Sequence, residues 1–243
     1  MQYKAPVCGA NFQETRMTDL TLVYLKMRAL GEAPQMLMHH AGLPYTYQMA
    51  WDHFGMPWPE AKMQVPFRQL PMLIVDGDHQ IAQSGSIMRF LAAHIGMTPA
   101  DPVKAAQVDS IFEATQELFA PLNPTINFAV GDDFQAKRTA ILEMLGPRMG
   151  DFDRIIEGSG GPFLTGDAPN YCDFGLFHHL DLAHALDARL LADRPRLSAF
   201  MGAMRDVTGM QDYLQARPEL IEVGVKPQLV IGGKAVATGM MAD

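Results

Sequence analysis

The hydrophobic pattern of this chain changes at a glycine- and proline-rich segment over residues 96–102 (GMTPADP), and the helical pattern is lost again over residues 220–243. Before it, short apolar and β-branched runs alternate with stretches of helical spacing; after it, the periodic stretches are helical. A chain of 243 residues has room for two domains. We therefore predict an α/β domain over residues 19–96 and an all-α domain over residues 103–219. In this division residues 1–18 are an N-terminal extension and residues 220–243 a C-terminal tail.

The elements of the first domain follow the order strand, helix, strand, irregular segment, hairpin, helix. Asp76-Gly77 is the turn signal of the hairpin, and three prolines make residues 51–66 irregular. The predicted strands are 19–25, 45–50, 72–75 and 80–82, and the predicted helices are 31–41 and 84–95. The second domain has predicted helices over 103–119, 134–156, 171–192, 196–205 and 210–217. Residues 226–237 are compatible with either a short strand or an irregular tail.

Composition limits the classes of partner. A net charge of −8 without a basic face argues against nucleic acid. The chain has no run of about 18 apolar residues, so we expect no membrane span, and residues 1–18 lack the apolar core of a secretory signal. Its two cysteines, Cys8 and Cys172, fit a reducing compartment, and we expect a cytoplasmic protein. The 18 methionines are compatible with core packing or with an adaptable pocket for apolar substrates.

A proline opens the third predicted strand, in the sequence Gln69-Leu70-Pro71-Met72. Proline cannot donate to the sheet, so it suits a turn at the strand start, and a cis peptide bond is compatible with that turn. Such a turn leaves the backbone of the preceding residue free to pair with a ligand that has its own peptide backbone. The alternative is an ordinary strand-initiating proline.

The segment Gln83-Ser84-Gly85-Ser86 lies between the last predicted strand and a helix. A helix N-terminus exposes unpaired N–H groups and a partial positive charge, which favour a carboxylate ligand. Ser84 adds a hydroxyl donor and Gln83 an amide. The alternative is a plain serine cap with no ligand.

Together these segments resemble the glutathione-binding core of the glutathione transferase family, nearest to the sigma class, which includes glutathione-dependent prostaglandin D synthases. The resemblance covers roughly residues 20–95, and its strength lies in several short motifs in the right order. In the first domain these are residues 23–28 (VYLKMR) with Glu32, 58–62 (WPEAK), 66–67 (PF), 70–73 (LPML) and 83–84 (QS). In the second they are residues 163–167 (FLTGD) and 170–174 (NYCDF), which resemble a loop and a buried capping box in which Asn170 caps a helix and Asp173 returns the bond.

The resemblance implies a role for each position. The catalytic residue is Tyr24, whose hydroxyl donates to the sulfur of glutathione. The glutathione-binding residues are Trp58 and Lys62 at the glycyl carboxylate, Gln69, Leu70 and Pro71 at the cysteinyl unit, and Gln83 and Ser84 at the γ-glutamyl end. Glu113 falls near an acidic position that reaches across a dimer to the glutamyl amine.

The family also implies the architecture and the partners. The expected fold is a thioredoxin-like domain that binds glutathione, followed by an all-helical domain that shapes the pocket for an apolar small-molecule substrate. The expected assembly is a homodimer in which Phe67 is an aromatic contact to the partner. The reaction is conjugation of an apolar electrophile in detoxification, or glutathione-dependent isomerisation or ether or thioether cleavage.

Thiol activation by Tyr24 makes physical sense. A free thiol has a pKa of about 8.5, so little of it is thiolate at neutral pH. A hydrogen bond to a charged acceptor contributes roughly 1.5–3 kcal/mol, and one pKa unit corresponds to about 1.36 kcal/mol. One such bond lowers the thiol pKa by roughly one to two units.

The sequence departs from the family at the turn after Tyr24. Ala29 stands at a family glycine and Leu30 at a family arginine, with Arg28 as a nearby cation that could compensate. Two other interpretations stay open; Leu30 favours the first of them, and the intact set of Trp58, Lys62, Gln83 and Ser84 argues against the second. One is a non-catalytic protein that carries hydrophobic ligands on the same fold, and the other is an assembly domain. His178, His179 and His184 share a predicted helix with Asp181, but we predict buried or pocket-lining histidines and no metal site there.

Overall fold

The computed structural model describes residues 19–239, and the predicted N-terminal extension lies outside them. Four strands form one sheet in the order β2-β1-β3-β4. They are β1 (Leu20–Tyr24), β2 (Thr46–Met49), β3 (Met72–Val75) and β4 (His79–Ala82). β1 pairs in parallel with β2, because helix α1 (Glu32–His40) crosses over from β1 to β2. On its other side, β1 pairs antiparallel with β3. These elements lie where the sequence predicts them, as does α4 (Ser84–His94) after the hairpin.

The connection between β2 and β3 is more helical than the predicted irregular segment. It contains α2 (Ala50–Phe54), α3 (Trp58–Ala61) and two 3₁₀ turns, Lys62–Gln64 and Pro66–Arg68. Each helix is at most five residues long, which is too short for a hydrophobic period to reveal. Pro57 and Pro59 flank the start of α3, where proline fits the first turn.

Six helices follow, and the prediction of a helical second domain is confirmed. They are α5 (Pro102–Gln116), α6 (Phe119–Asn127), α7 (Gly131–Ser159), α8 (Tyr171–His184), α9 (Pro195–Asp206) and α10 (Met210–Ala216). The sequence missed α6 because Pro121 and Pro124 read as helix breakers, and it extended α8 too far, to residue 192. Among the described residues no helix is long and apolar enough to cross a bilayer.

Helix α8 lies at the centre of the larger core. Nearly every residue from Tyr171 to Ala183 is buried, and the helix packs most closely against α5. A capping box holds its start: the side chain of Asn170 accepts from the N–H of Tyr171 at 2.8 Å, and Asp173 accepts from the N–H of Asn170 at 2.7 Å. The expected capping box is therefore present, and Cys172 lies buried beside it.

The described C-terminal segment is a small antiparallel sheet, although the sequence left open a single strand or a tail. Its strands, β5 (Glu219–Ile221), β6 (Gln228–Ile231) and β7 (Lys234–Ala237), follow that order in space. Gly232 and Gly233 make the turn between β6 and β7, both at positive φ, as a tight hairpin requires. Past β7, the N–H of Gly239 donates to the carbonyl of Lys26 at 2.6 Å, so the sheet is fastened to the turn after β1.

Candidate functional site

Three neighbouring strands bring the predicted site residues to one end of the four-stranded sheet. Val23 of β1 pairs with Met72 of β3, and Met72 pairs with Ala82 of β4. Tyr24 follows Val23, Pro71 precedes Met72 and Gln83 follows Ala82, so the three positions share one edge. The parallel strand β2 ends at Met49 beside Tyr24, and α2 and α3 continue from the same edge.

Tyr24 is buried at the end of β1, with 4% of its surface exposed. A Cβ atom on Gly31 would lie 2.6 Å from the Tyr24 ring, so glycine at this position lets the turn pack flat against the phenol. Burial raises the pKa of Tyr24 well above its usual range, and the charge of Glu32 raises it further. The backbone N–H groups of Leu30 and Gly31 oppose that shift without reversing it. The phenol therefore stays protonated and can act as a hydrogen-bond donor.

The turn before β3 has the predicted form. The Leu70-Pro71 peptide bond is cis, and Pro71 is buried. Within residues 19–239, no hydrogen bond uses the backbone N–H or C=O of Leu70. Gln69 is exposed beside this turn, and its side-chain oxygen accepts from the Gln83 amide at 3.1 Å. The turn thus offers a peptide ligand one donor and one acceptor of the backbone.

The start of α4 lies next to that turn. Gln83 precedes the helix in an unusual left-handed backbone conformation, with φ 69° and ψ 120°, and its side chain does not cap the helix. The serine-cap alternative is wrong, since Ser84 is the first residue of the helix. The first N–H groups of α4 therefore have no side-chain partner among the described residues, which is the arrangement that favours a carboxylate.

Trp58 and Lys62 come from the connection between β2 and β3. Trp58 is half-buried and, like Leu70 of the cis turn, packs against a small apolar cluster that contains Val23 and Met72. Lys62 is exposed at the end of α3. Both residues are available at the edge where the predicted ligand's glycyl end would lie.

Glu113 has a partner within its own chain. Its carboxylate forms an ion pair with Arg89 of α4, and Asp109 binds the same guanidinium at 2.6 Å. A Cβ atom on Gly85 would lie 3.0 Å from the Arg89 guanidinium, so this cation lies close to the start of α4. Sequence reasoning missed Arg89; its signal is an arginine four residues after Gly85, about one turn along the same helix. The role of Glu113 across a dimer stays a prediction.

Arg28 does not replace the arginine that Leu30 displaces. Its guanidinium binds Glu32 at 3.1 Å and Asp181 at 2.6 Å, and only 13% of its side chain is exposed. Arg217 completes the cluster, at 2.8 Å from Asp181. Burial alone would raise the pKa of Glu32, but Arg28, with His178 and Arg217, holds it well below its usual range. The Arg28 guanidinium is therefore occupied by structural ion pairs.

His178 and His179 of α8 are buried, as predicted, whereas His184, the last residue of the helix, is exposed. The Nδ1 atom of His178 lies 3.3 Å from the carboxylate of Glu32, and His179 is 1% exposed. Burial lowers the pKa of His179 well below its usual range. Within the described part of the chain, no group of three or more histidine, cysteine or acidic residues is arranged to hold a metal ion.

Several glutathione S-transferases are similar to this chain in sequence and in fold. A sequence profile of the glutathione S-transferase C-terminal domain matches residues 122–217. Glutathione S-transferase 1 of Ascaris suum is 27% identical over 207 residues, which are 84% of this chain and 98% of the relative. A Pi-class glutathione S-transferase structure from Onchocerca volvulus has a TM-score of 0.72 at 26% identity, over 82% of this chain and 93% of the other.

A second structure, Na-GST-3 of the hookworm Necator americanus, is described as a monomeric glutathione S-transferase. It has a TM-score of 0.72 at 26% identity, and the match covers 83% of this chain and 98% of that one. The sequence and fold of this chain match these relatives along almost their whole length. The same chain brings Tyr24, the cis turn and the start of α4 to one edge of its sheet. The chain is therefore similar in sequence and in fold to glutathione S-transferases over most of its length.

Proposed function

We propose that this chain is a glutathione S-transferase that binds glutathione at the edge shared by β1, β3 and β4. The observation that carries the proposal is the strand register, which puts Tyr24, Leu70-Pro71 and Gln83-Ser84 side by side. The free backbone of Leu70 pairs with the cysteinyl unit, and the start of α4 receives the γ-glutamyl carboxylate. Trp58 and Lys62 hold the glycyl carboxylate, and Gln69 supports Gln83.

Tyr24 supplies the chemistry. Its protonated hydroxyl donates to the sulfur and stabilises the thiolate, which is the nucleophilic form of a thiol. The thiolate then attacks an apolar electrophile, and the same activation serves isomerisation or cleavage of an ether or thioether. The sigma class, a cytoplasmic location and a role in detoxification are the finer parts of this proposal, and they rest on the sequence motifs and composition.

A second candidate, a non-catalytic carrier of hydrophobic ligands, is favoured by one observation. Leu30 brings no charge to the turn after Tyr24, and Arg28 is bound by two carboxylates. Thiol activation then depends on fewer groups than the family pattern provides. Turnover of a generic chloronitroaromatic with glutathione separates the two candidates, since a carrier binds it without releasing chloride.

Calorimetric titration with glutathione tests the proposed site. Ser84→Ala should weaken binding about tenfold or more, because a hydrogen bond to a carboxylate is lost. Ser86→Ala is the matched control, since Ser86 is exposed on the same first turn of α4, and it should bind like the wild type. No binding by the wild type, or an equal loss in both variants, would overturn the site.

We also propose a homodimer in which Phe67 contacts the partner. Phe67 is 73% exposed and has a φ of 59°, a left-handed conformation that is costly for an aromatic residue and turns it outward here. Such an exposed aromatic side chain suits a protein contact. Sedimentation at micromolar concentration should give about twice the chain mass for the wild type and a weaker dimer for Phe67→Ser; a wild-type monomer would end the proposal.

A further inference from the structure

The turn after β1, residues 25–31, leads from Tyr24 to helix α1 and contains neither helix nor strand. At its far end, the backbone N–H groups of Leu30 and Gly31 interact with the Tyr24 hydroxyl. A Cβ atom on Gly31 would lie 2.6 Å from the Tyr24 ring, so the turn also packs directly on the phenol. Whatever holds this turn in place therefore holds the phenol as well.

Three backbone carbonyls of the turn accept hydrogen bonds from outside it. The donors are the Tyr47 hydroxyl of β2, 2.7 Å from the Leu25 oxygen, the Asn127 amide of α6, 3.2 Å from the Arg28 oxygen, and the N–H of Gly239, 2.6 Å from the Lys26 oxygen. They come from the first domain, from the helical domain and from the C-terminal segment, residues 219–239. A turn without regular structure takes its conformation from supporting contacts of this kind.

The C-terminal segment reaches the turn in two ways. Gly239 binds the Lys26 carbonyl directly. Thr238, which is 4% exposed, donates its hydroxyl to the carbonyl of Asn127, whose own buried side chain binds the turn. The family profile ends at residue 217, so both contacts come from a part of this chain that the profile does not cover.

Gly239 occupies a position that admits no side chain. Its φ is 78°, and a Cβ atom there would lie 2.8 Å from the Phe128 ring and 3.1 Å from the methyl group of Met27. Gly233, in the hairpin between β6 and β7, has a φ of 77°, but no atom lies within 4 Å of where its Cβ would be. Alanine strains the backbone similarly at both positions, and only at Gly239 does it also push the segment away from the turn.

We propose that the C-terminal segment is a positioning element for catalysis, which fixes the turn after β1 through Thr238 and Gly239 and so keeps the Tyr24 hydroxyl directed at the glutathione sulfur. The inference rests on the proposed function, in which that sulfur accepts the hydrogen bond of Tyr24. A hydrogen bond weakens steeply with distance and angle, so a small shift of the phenol reduces its stabilisation of the thiolate. Thr238 and Gly239 act through Tyr24 and are positioning residues.

Thr238→Val tests this role on the full chain, because it removes the hydroxyl and nearly keeps the shape of the side chain. With glutathione and a generic chloronitroaromatic near pH 6.5, kcat should fall about three- to tenfold. KM for glutathione should change little, since other residues hold the peptide. The thiol pKa of the complex should rise, so part of the rate should return at higher pH. Thr238→Ser keeps the hydroxyl and should restore most of kcat.

Gly239→Ala is a second variant, which keeps the test decisive if Thr238→Val does not fold. It should show the same loss of kcat and the same rise in the thiol pKa, because the added methyl group displaces the N–H that binds Lys26. Gly233→Ala is the matched control and should behave like the wild type in both measurements. Equal losses in the two alanine variants would overturn the positioning role.

A double-mutant cycle with Tyr24→Phe separates positioning from a general loss of stability. If the segment acts through the phenol, Gly239→Ala should slow the wild type but leave the rate of Tyr24→Phe nearly unchanged. A loss of the same size in both backgrounds would contradict the proposal, as would wild-type kcat and thiol pKa in both Thr238→Val and Gly239→Ala.

Fluorine NMR of the protein labelled with fluorotyrosine tests the position of Tyr24 without glutathione. The Tyr24 signal is the one that Tyr24→Phe lacks, and it should shift or broaden in Gly239→Ala but not in Gly233→Ala. An unchanged Tyr24 signal in Gly239→Ala would overturn the proposal even if glutathione binds. A wild type that does not bind glutathione, but whose Tyr24 signal responds to Gly239→Ala, would refute the proposed function and leave the positioning of Tyr24 by the C-terminal segment standing.

Discussion

At the residue scale, the proposed chemistry needs a phenol that stays protonated beside a thiolate. The site meets that need because burial and the charge of Glu32 both disfavour the phenolate of Tyr24. The glycine at position 31 leaves room for the turn after β1 to lie against the Tyr24 ring. A neutral phenol that donates to sulfur stabilises the charged form of the thiol, which is the direction that catalysis requires.

Tyr24→Phe should therefore lower the rate without abolishing binding. Glutathione is held by other residues, so its affinity should change little. The rate with an electrophile near pH 6.5 should fall about ten- to a hundredfold, equivalent to losing one hydrogen bond to a charged acceptor. Part of the loss should return at higher pH, where the thiol ionises unaided. A variant as fast as the wild type at the lower pH would show that another group activates the sulfur.

The sequence motifs suggested which residues form the candidate site but did not reveal which carboxylates the nearby cations bind. The resemblance to glutathione transferases grouped Tyr24, Pro71 and Ser84 into one candidate site, and the strand register of the folded chain brings them to one edge. Arg28 looked free because its partners, Glu32 and Asp181, come from separate helices, and Asp181 is far along the chain.

At the element scale, helix α8 lies at the centre of the larger core, and a capping box holds its start. Asp173 is fully buried and accepts two backbone hydrogen bonds, from Leu164 at 2.8 Å and from Asn170 at 2.7 Å. The same residues fasten the loop before the helix to its first turn. Losing the cap leaves backbone donors of a buried helix unpaired.

Asn170→Ala should destabilise the protein by about 1 kcal/mol, which lowers the melting temperature by roughly 2–4 °C in a chain of this size. Asn170→Ser keeps an oxygen that can cap the helix and loses the bond to the carbonyl of Met97. Thermal unfolding of the three proteins should therefore place the serine variant between the wild type and the alanine variant. Equal melting of the alanine variant and the wild type would refute the cap's contribution.

The C-terminal sheet is the element that the sequence described least well. Its signal was present, because Gly232-Gly233 between two short apolar runs is a hairpin pattern. The strands are only three or four residues long, and Gly224 adopts a φ of 81° where a side chain would collide with Phe134. Contacts with the helical domain fix such short strands, and contacts of that kind cannot be read from local sequence.

At the scale of the whole molecule, a buried ionic cluster joins the two halves of the chain. Glu32 begins α1, Arg28 lies in the turn before it, Asp181 is on α8 and Arg217 follows α10. Tyr213 adds a hydrogen bond to Glu32 at 3.0 Å. Because every charge in the cluster has an opposite partner, removing one leaves another buried and unpaired.

The cluster predicts how stability depends on pH. The pKa of Glu32 is lowered in the folded state, so its contribution is present above the unfolded carboxyl pKa of about 4.3 and is lost as pH falls below that value. Glu32→Gln should lose roughly 3–5 kcal/mol of unfolding free energy at neutral pH and a smaller amount in acid. Urea unfolding at several pH values measures both, with the exposed Glu60→Gln as control. A constant difference between Glu32→Gln and the wild type at all pH values would contradict this account.

The central claim is that this chain binds glutathione beside Tyr24 and holds its sulfur as a thiolate. Ultraviolet difference spectra of the complex against pH report the thiolate directly. In the wild-type complex, the apparent thiol pKa should lie roughly one to two units below the free value of about 8.5, and in Tyr24→Phe it should return towards that value. A wild-type complex that titrates like free glutathione, or a Tyr24→Phe complex that titrates like the wild type, would contradict the claim.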